Sequence, residues 1–271
     1  MSGAAVSNEN QLPAPKALSD CGALIIGGTA GIGFATAKAL VEAGVPRIVI
    51  VGRTVERGET AAKSLTDLGA DAHFLAGSPL DPAEAAKIAA EAERLLGGID
   101  IMMCTTAADG VAPELFKDIP AADISRILTE MATPAMHMAS AVLPGMRAQK
   151  GGVIINVASD AAKTATPGEA MIGAAKAAIV MFTRTIAIEE KRHGIRANAL
   201  TPSLVHGTAS TERITTGEGF SAKLFAGAAK QAALGVPDAD DVAALAVFVA
   251  SPAAGKLTGQ AISVNGGISA A

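Results

Sequence analysis

Two groups of residues in this 271-residue chain have types and spacings that could do chemistry. The first is Gly27-Gly28-Thr29-Ala30-Gly31-Ile32-Gly33, which follows the apolar run Ala23-Leu24-Ile25-Ile26 and precedes a helical pattern. Strand, glycine turn and helix in that order suit a dinucleotide. Glycine makes the tight turn, backbone N–H groups can approach a phosphate, and the helix N-terminus faces the pyrophosphate. The spacing Gly27-x-x-x-Gly31-x-Gly33 is more particular than the common G-x-G-x-x-G form, although a plain turn between strand and helix could use the same residues. The second group is Ser159, at the end of an apolar run, with Ile172 thirteen residues later and Lys176 four beyond that on a long helical segment. A serine hydroxyl at a strand end can hydrogen-bond a developing oxyanion, or cap nearby backbone.

Gly52-Arg53-Thr54 ends a further apolar run, residues 47–51. An acidic side chain at that place would take a ribose 2′-hydroxyl. A guanidinium beside a glycine can grip a 2′-phosphate instead, which predicts NADP(H) rather than NAD(H). The alternative is that Arg53 is a solvated loop charge.

The elements that must position these residues alternate along the chain. Apolar strand-like runs cover residues 23–26, 47–51, 73–76, 99–103, 152–157, 195–200 and 261–264. Helical patterns cover residues 34–43, 55–68, a segment opened by Asp81-Pro82, 121–149 with a kink expected at Pro134, 167–191 and 238–250. No linker or internal repeat interrupts the series. The pattern predicts one doubly wound domain over residues 20–271 with a parallel seven-stranded sheet, residues 1–19 as a flexible arm, and residues 203–236 as a partly helical insertion at the substrate side. In such sheets ligands bind beyond the carboxyl ends of the strands, where the residues singled out above fall.

Half of the residues are hydrophobic and only 3% aromatic, which favours a core of small aliphatic side chains. A net charge of −4 argues against a nucleic-acid footprint. Cys21 and Cys104 form no metal-like cluster and no disulfide framework, which fits a reducing compartment. No signal-peptide order is present and no apolar run reaches the roughly 18 residues needed to span a bilayer. A cytoplasmic protein is expected, with no membrane and no nucleic-acid partner.

The glycine turn, Ile154-Ile155-Asn156-Val157-Ala158-Ser159, the distant Lys176, Asn198-x-x-x-Pro202 and Val264-Asn265-Gly266-Gly267 together resemble the short-chain dehydrogenase/reductase family across residues 20–268. The resemblance implies a Rossmann-like domain that binds a nicotinamide dinucleotide and moves hydride. It also implies a homodimer or homotetramer, with the long helices 121–149 and 167–191 at an interface. The cofactor contacts it implies are Gly27, Thr29, Ala30, Gly31, Ile32, Gly33, Arg53, Thr54, Ser78, Thr105, Thr106, Ala107, Lys176, Pro202 and Val205.

Ser159 matches the family's catalytic serine, and Lys176 the lysine that holds the nicotinamide ribose and lowers the pKa of the catalytic tyrosine. Ile172 stands where that proton-donating tyrosine belongs, and the chain has no tyrosine at all. Met131 falls near the family's relay asparagine, Cys104-Thr105-Thr106-Ala107 replaces its Asn-Asn-Ala-Gly run, and Ser78 replaces an acidic residue near adenine. The cofactor half is thus intact and the proton-transfer half is not.

The reading that follows is an NADPH-dependent oxidoreductase that reduces a small apolar carbonyl, imine or activated C=C without the usual acid. The alternative is a silent NADP(H)-binding sensor or scaffold; a lyase or isomerase on the same frame is a third. His206, Asp160, Lys163, Glu169 and Cys104 are candidate replacement acids. Each reads more readily as a solvated or structural group, and His73, His137 and His193 read as structural or exposed. No metal site is expected.

Overall fold

Five strands have no exposed member, and that burial decides the architecture. A strand hidden on both faces needs helices above and below it. The computed structural model describes residues 12–208, 211–212 and 219–271. The strands are β1 (Gly22–Ile26), β2 (Arg47–Gly52), β3 (Asp71–Ala76), β4 (Ile101–Cys104), β5 (Gly152–Val157), β6 (Ile195–Pro202) and β7 (Ala261–Val264). They form one parallel sheet in the order β3-β2-β1-β4-β5-β6-β7. β3 and β7, half-buried, are its edges.

The helices are α1 (Gly31–Glu42), α2 (Val55–Asp67), α3 (Pro82–Leu96), α4 (Ile124–Ala148), α5 (Ala170–Glu190), α6 (Phe220–Gln231) and α7 (Ala239–Ala250). Successive strand residues alternate between two cores. Leu24, Ile26, Met102 and Ile154 join the core under α3, α4 and α5. Ala23, Ile25, Met103 and Ile155 join the core under α1, α2 and α7. The single doubly wound domain expected from the alternating pattern is the architecture found. Strand order reverses between β1 and β4, so the crevice beyond their carboxyl ends is the place for a ligand.

Several boundaries differ from the pattern in the sequence. α1 starts at Gly31, not at Phe34, because its first turn is made of turn glycines and carries no apolar period. β4 is shifted to Ile101–Cys104, and β6 runs two residues further to Pro202, which pairs with Val264 of β7. α4 is preceded by a 3-10 turn, Ala121–Asp123, and stays helical through both Pro134 and Pro144. α5 begins at Ala170, after a turn in which Gly168 has φ 85°. Asp81 caps α3 as expected, accepting the N–H groups of Ala83 and Glu84 at 2.7 and 3.1 Å. Asp238 and Asp241 form a reciprocal cap at the start of α7.

Residues 1–11 of the expected arm, and 209–210 and 213–218 of the expected insertion, lie outside the described residues. The remainder of the arm is tied down at Lys16, whose ammonium meets Asp100 at 2.6 Å. α5 with its 3-10 extension to His193 is the one described helix long and apolar enough to cross a membrane, with an 18-residue window of mean hydropathy 1.5. The sequence shows no such run because Lys176 and Arg184 interrupt it. Its inner face, including Ala175, Ile179 and Val180, is core of this domain.

Candidate active site

The glycine turn is built against its neighbours so closely that side chains have no room. Gly27 (φ 79°) reverses the chain after β1, and the N–H groups of Gly27 and Gly28 donate to the Val51 carbonyl at 2.9 and 3.2 Å. A Cβ on Gly33 would stand 2.3 Å from the Gly27 carbonyl oxygen, and one on Gly27 would stand 2.8 Å from Thr105 Oγ1. α1 then opens from Ala30, an extended residue with no side chain that could cap the helix. Its first-turn N–H groups therefore have no side-chain acceptor, and their partial positive charge faces the crevice. That is the seat a phosphate needs, so the residues present fit a dinucleotide.

The other predicted cofactor positions surround this turn unevenly. Thr105 lies directly against it, and its N–H donates to the Ile26 carbonyl at 2.9 Å. Thr29 is buried against Gly52. Ile32 is half-buried; Thr106 is half-buried and Ala107 exposed in the loop after β4. Thr54 precedes α2 and accepts from Arg57 at 3.5 Å. The Ser78 N–H is already spent on Glu84, at 2.9 Å. Pro202 and Val205 are buried at the end of β6.

Arg53 is exposed but paired. Its guanidinium forms a two-pronged ion pair with Asp109, with Nη2 to Oδ1 at 3.0 Å and Nη1 paired to Oδ2. Nothing in the sequence spacing signals this pairing, because Asp109 lies 56 residues away. Thr208 is a second residue the sequence did not single out. It is buried beside Gly31, with its methyl 3.6 Å from where a Gly31 Cβ would be.

Ser159 follows the carboxyl end of β5, and Lys176 reaches the last residue of the same strand, Val157. Ser159 Oγ accepts the Ala161 N–H at 3.2 Å and so caps the short turn Asp160–Ala162. One lone pair is used, and the hydroxyl proton remains available to donate. Lys176, 7% exposed on α5, donates to the Val157 carbonyl at 3.3 Å. Burial pushes its pKa down, opposed by the nearby Cys104. Burial pushes the Cys104 thiol up, opposed chiefly by its hydrogen bond with Thr106 at 3.6 Å.

Ile172 lies one helical turn before Lys176, half-buried, and lines a cavity of about 380 Å³. Ile127 and Met171 share that cavity, and the exposed carboxylates of Glu114 and Asp118 also border it. Met131 is buried in α4 in the same apolar cluster as Met171 and Ile172. A larger cavity, about 740 Å³, lies at the opposite end of the sheet near Lys16, Lys150 and Lys256 and holds none of the predicted site residues.

The charges next to Ser159 are both engaged with other parts of the chain, and Asp160 is buried. Asp160 is buried and accepts from Ser269 Oγ at 2.6 Å and Ser263 Oγ at 3.4 Å. Lys163 donates to Ser263 Oγ at 2.7 Å and to the Ala271 carbonyl oxygen at 2.6 Å, and burial lowers its pKa. The segment after β7 folds back over both, which no local pattern announces. Glu169 is half-buried and its pKa is raised, first by burial and then by Asp160.

His206 is exposed in its loop, His73 pairs with Asp71 at 3.0 Å, and His137 Nδ1 is 2.9 Å from the Pro79 carbonyl oxygen. Among the described residues no group of three or more His, Cys, Asp or Glu could hold a metal ion.

Comparison with known proteins bears on this geometry. Residues 22–219 match the family described as short chain dehydrogenase. The chain is 30% identical over 251 residues to a D-beta-hydroxybutyrate dehydrogenase of Cupriavidus necator, covering 90% of this chain and 96% of the relative. Among solved structures it is similar to a 7 alpha-hydroxysteroid dehydrogenase complexed with NADH and 7-oxo glycochenodeoxycholic acid. That likeness has a TM-score of 0.84 and 25% identity, over 93% of this chain and 95% of the other. A gluconate 5-dehydrogenase from Burkholderia cenocepacia in complex with NADP and tartrate has a TM-score of 0.82 and 28% identity, over 92% of this chain and 94% of the other.

Proposed function

Because the chain belongs to the short-chain dehydrogenase family, whose members are oxidoreductases, we propose that it is an NADPH-dependent reductase working without a tyrosine acid. Its substrate is a small, largely apolar carbonyl, imine or activated C=C compound. What supports this reading is that Ser159 follows the carboxyl end of β5 and Lys176 binds the Val157 carbonyl at that end, while Ile172 stands one helical turn before Lys176, where the resemblance places the family's acid. When bound, the nicotinamide nucleotide supplies hydride. Residues 27–33, Arg53, Thr54, Ser78, residues 105–107, Lys176, Pro202 and Val205 would hold it. The solved relatives contain NADH in one case and NADP in another, so the preference for NADP rests on Gly52 and Arg53. NADPH is expected to bind more tightly than NADH; equal affinities by calorimetry, unaltered in Arg53→Ala, would sink that preference.

The chain's own residues then divide the work. Ser159 donates its hydroxyl proton in a hydrogen bond to a developing negative oxygen or nitrogen. Lys176 holds the ribose. Ile172 and Met131 bring no ionisable proton and keep water from the reacting carbon. Losing a positioned general acid costs roughly 10²–10⁴ in rate. The site therefore suits substrates that need no acid from the enzyme: a cationic imine, or a conjugated C=C whose product takes its proton from water. The cavity beside Ile172 is mixed in character: Ile127, Met171 and Ile172 line it together with Glu114, Asp118, Asp123 and Arg126, and neither Ser159 nor Lys176 borders it.

The test is NADPH oxidation against a panel of ketones, enones and imines, run with the wild type and Ile172→Tyr. Wild type is expected to turn over imines or enones, and Ile172→Tyr to gain ordinary ketone reduction. No wild-type turnover on any member, with tight NADPH binding, would favour the second reading. That reading is a binding protein without catalysis, and the joint presence of Ile172 and Met131 favours it. A homodimer or homotetramer is also proposed, because Met181 and Ile188 stand about 60% exposed on the outer face of α5.

A further inference from the structure

We propose that Asp109 determines coenzyme specificity, by competing with the 2′-phosphate of NADP(H) for the guanidinium of Arg53. The inference rests on the reading of Arg53 as the 2′-phosphate ligand.

Arg53 follows the end of β2, and Asp109 lies in the loop after β4. In the sheet these strands flank β1, whose carboxyl end carries the glycine turn. The ion pair therefore runs across the mouth of the crevice, over the turn that would seat the pyrophosphate. It engages both Nη1 and Nη2, one on each carboxylate oxygen. That is one of the two edges by which a guanidinium can grip a phosphate with two prongs. A carboxylate and a phosphate cannot both take that edge of one guanidinium, and their like charges repel.

The carboxylate thus occupies the very feature that the sequence offers as the mark of NADP. Arg53 and Asp109 side chains are 60% and 70% exposed, so water can replace either partner when the pair opens. An exposed pair of this kind is weak, and its removal is worth about two- to five-fold in affinity. NADH has no group at the 2′ position that needs Arg53, so its affinity is independent of the pair.

The experiment is calorimetric titration of NADPH and NADH into the full chain as wild type, Asp109→Asn, Arg53→Ala and the double variant. Asp109→Asn is expected to tighten NADPH about two- to five-fold, to leave NADH unchanged, and to lose its effect in the double variant. If wild type prefers NADPH, Arg53→Ala removes the preference and Asp109→Asn does not strengthen it, the proposal is overturned while the Arg53 reading stands. If Asp109→Asn weakens NADPH, Asp109 is a lid over the nucleotide and not its competitor. If neither Arg53→Ala nor Asp109→Asn changes the ratio of the two affinities, the Arg53 reading falls and takes the proposal with it.

Discussion

Replacing Lys176 with methionine should give a protein that melts at a higher temperature and has lost at least about 10²-fold of its turnover. The two effects have one cause. Lys176 is 7% exposed and, among the described residues, makes a single hydrogen bond, to the Val157 carbonyl at 3.3 Å. A charge so placed lacks hydration and has no carboxylate to compensate it. Methionine has nearly the same length and no charge, so the fold gains ~1–3 kcal/mol, on the scale found when buried charges are replaced by apolar side chains.

For a domain of this size that is roughly 2–10 °C in melting temperature. Thermal melts of both proteins measure the gain. Activity and nucleotide titrations measure the loss, because the group that would hold the ribose is gone. The pH dependence gives a second check. The folded-state pKa of Lys176 is lowered by burial. Below that depressed value both states carry the proton, and the folded state bears the full penalty. As pH rises from the depressed value towards the unfolded value of about 10.4, the folded state sheds a proton that the unfolded state keeps. The wild type gains stability across that window. The advantage of Lys176→Met should shrink there; a constant advantage would show that the buried charge is not its source. A fully active Lys176→Met would remove Lys176 from the site.

The second large effect is expected at the glycine turn. Gly33→Ala should lower the melting temperature and weaken nicotinamide nucleotide binding by about 10-fold or more. The new Cβ would lie 2.3 Å from the Gly27 carbonyl oxygen and 2.8 Å from its carbon. Both are backbone atoms that no rotamer change can move. The turn must open, at ~1–3 kcal/mol, the usual cost of overpacking. Opening it also moves the first N–H groups of α1 away from the phosphate seat, and each 1.4 kcal/mol lost there is tenfold in affinity. Gly227→Ala, in α6, is the control. A Cβ there meets nothing within 4 Å, and alanine is the better helix former. Its nucleotide affinity should match wild type. Equal affinity for Gly33→Ala would mean that the turn does not hold the nucleotide.

The two sites differ in how visible they are in the sequence. Gly33 is visible as part of a spaced glycine pattern, because close approach of backbone to backbone admits no other residue. Lys176 is visible as a lysine on a helix and by its place in the family resemblance; its burial and its contact with Val157 come from packing α5 onto the sheet. The element series was legible because most of the buried strands, such as β1 and β4, read as apolar runs between helical patterns. Its ends were less so, as at α1, where the first helical residues are turn glycines.

Asp160 and Lys163 look like surface charges in the sequence. They are held by Ser263, Ser269 and Ala271, about a hundred residues further on. The pairing of Arg53 with Asp109 joins two loops for the same reason. The sequence alone determined the doubly wound fold, the phosphate turn, and the absence of any phenolic acid, since these depend on local period, glycine spacing and composition. The tertiary structure decided how the charges are paired: Arg53 with Asp109, Asp160 and Lys163 with the last residues. Those outcomes depend on which strand ends lie side by side, and parallel strands joined through helices bring together residues that are distant in the chain.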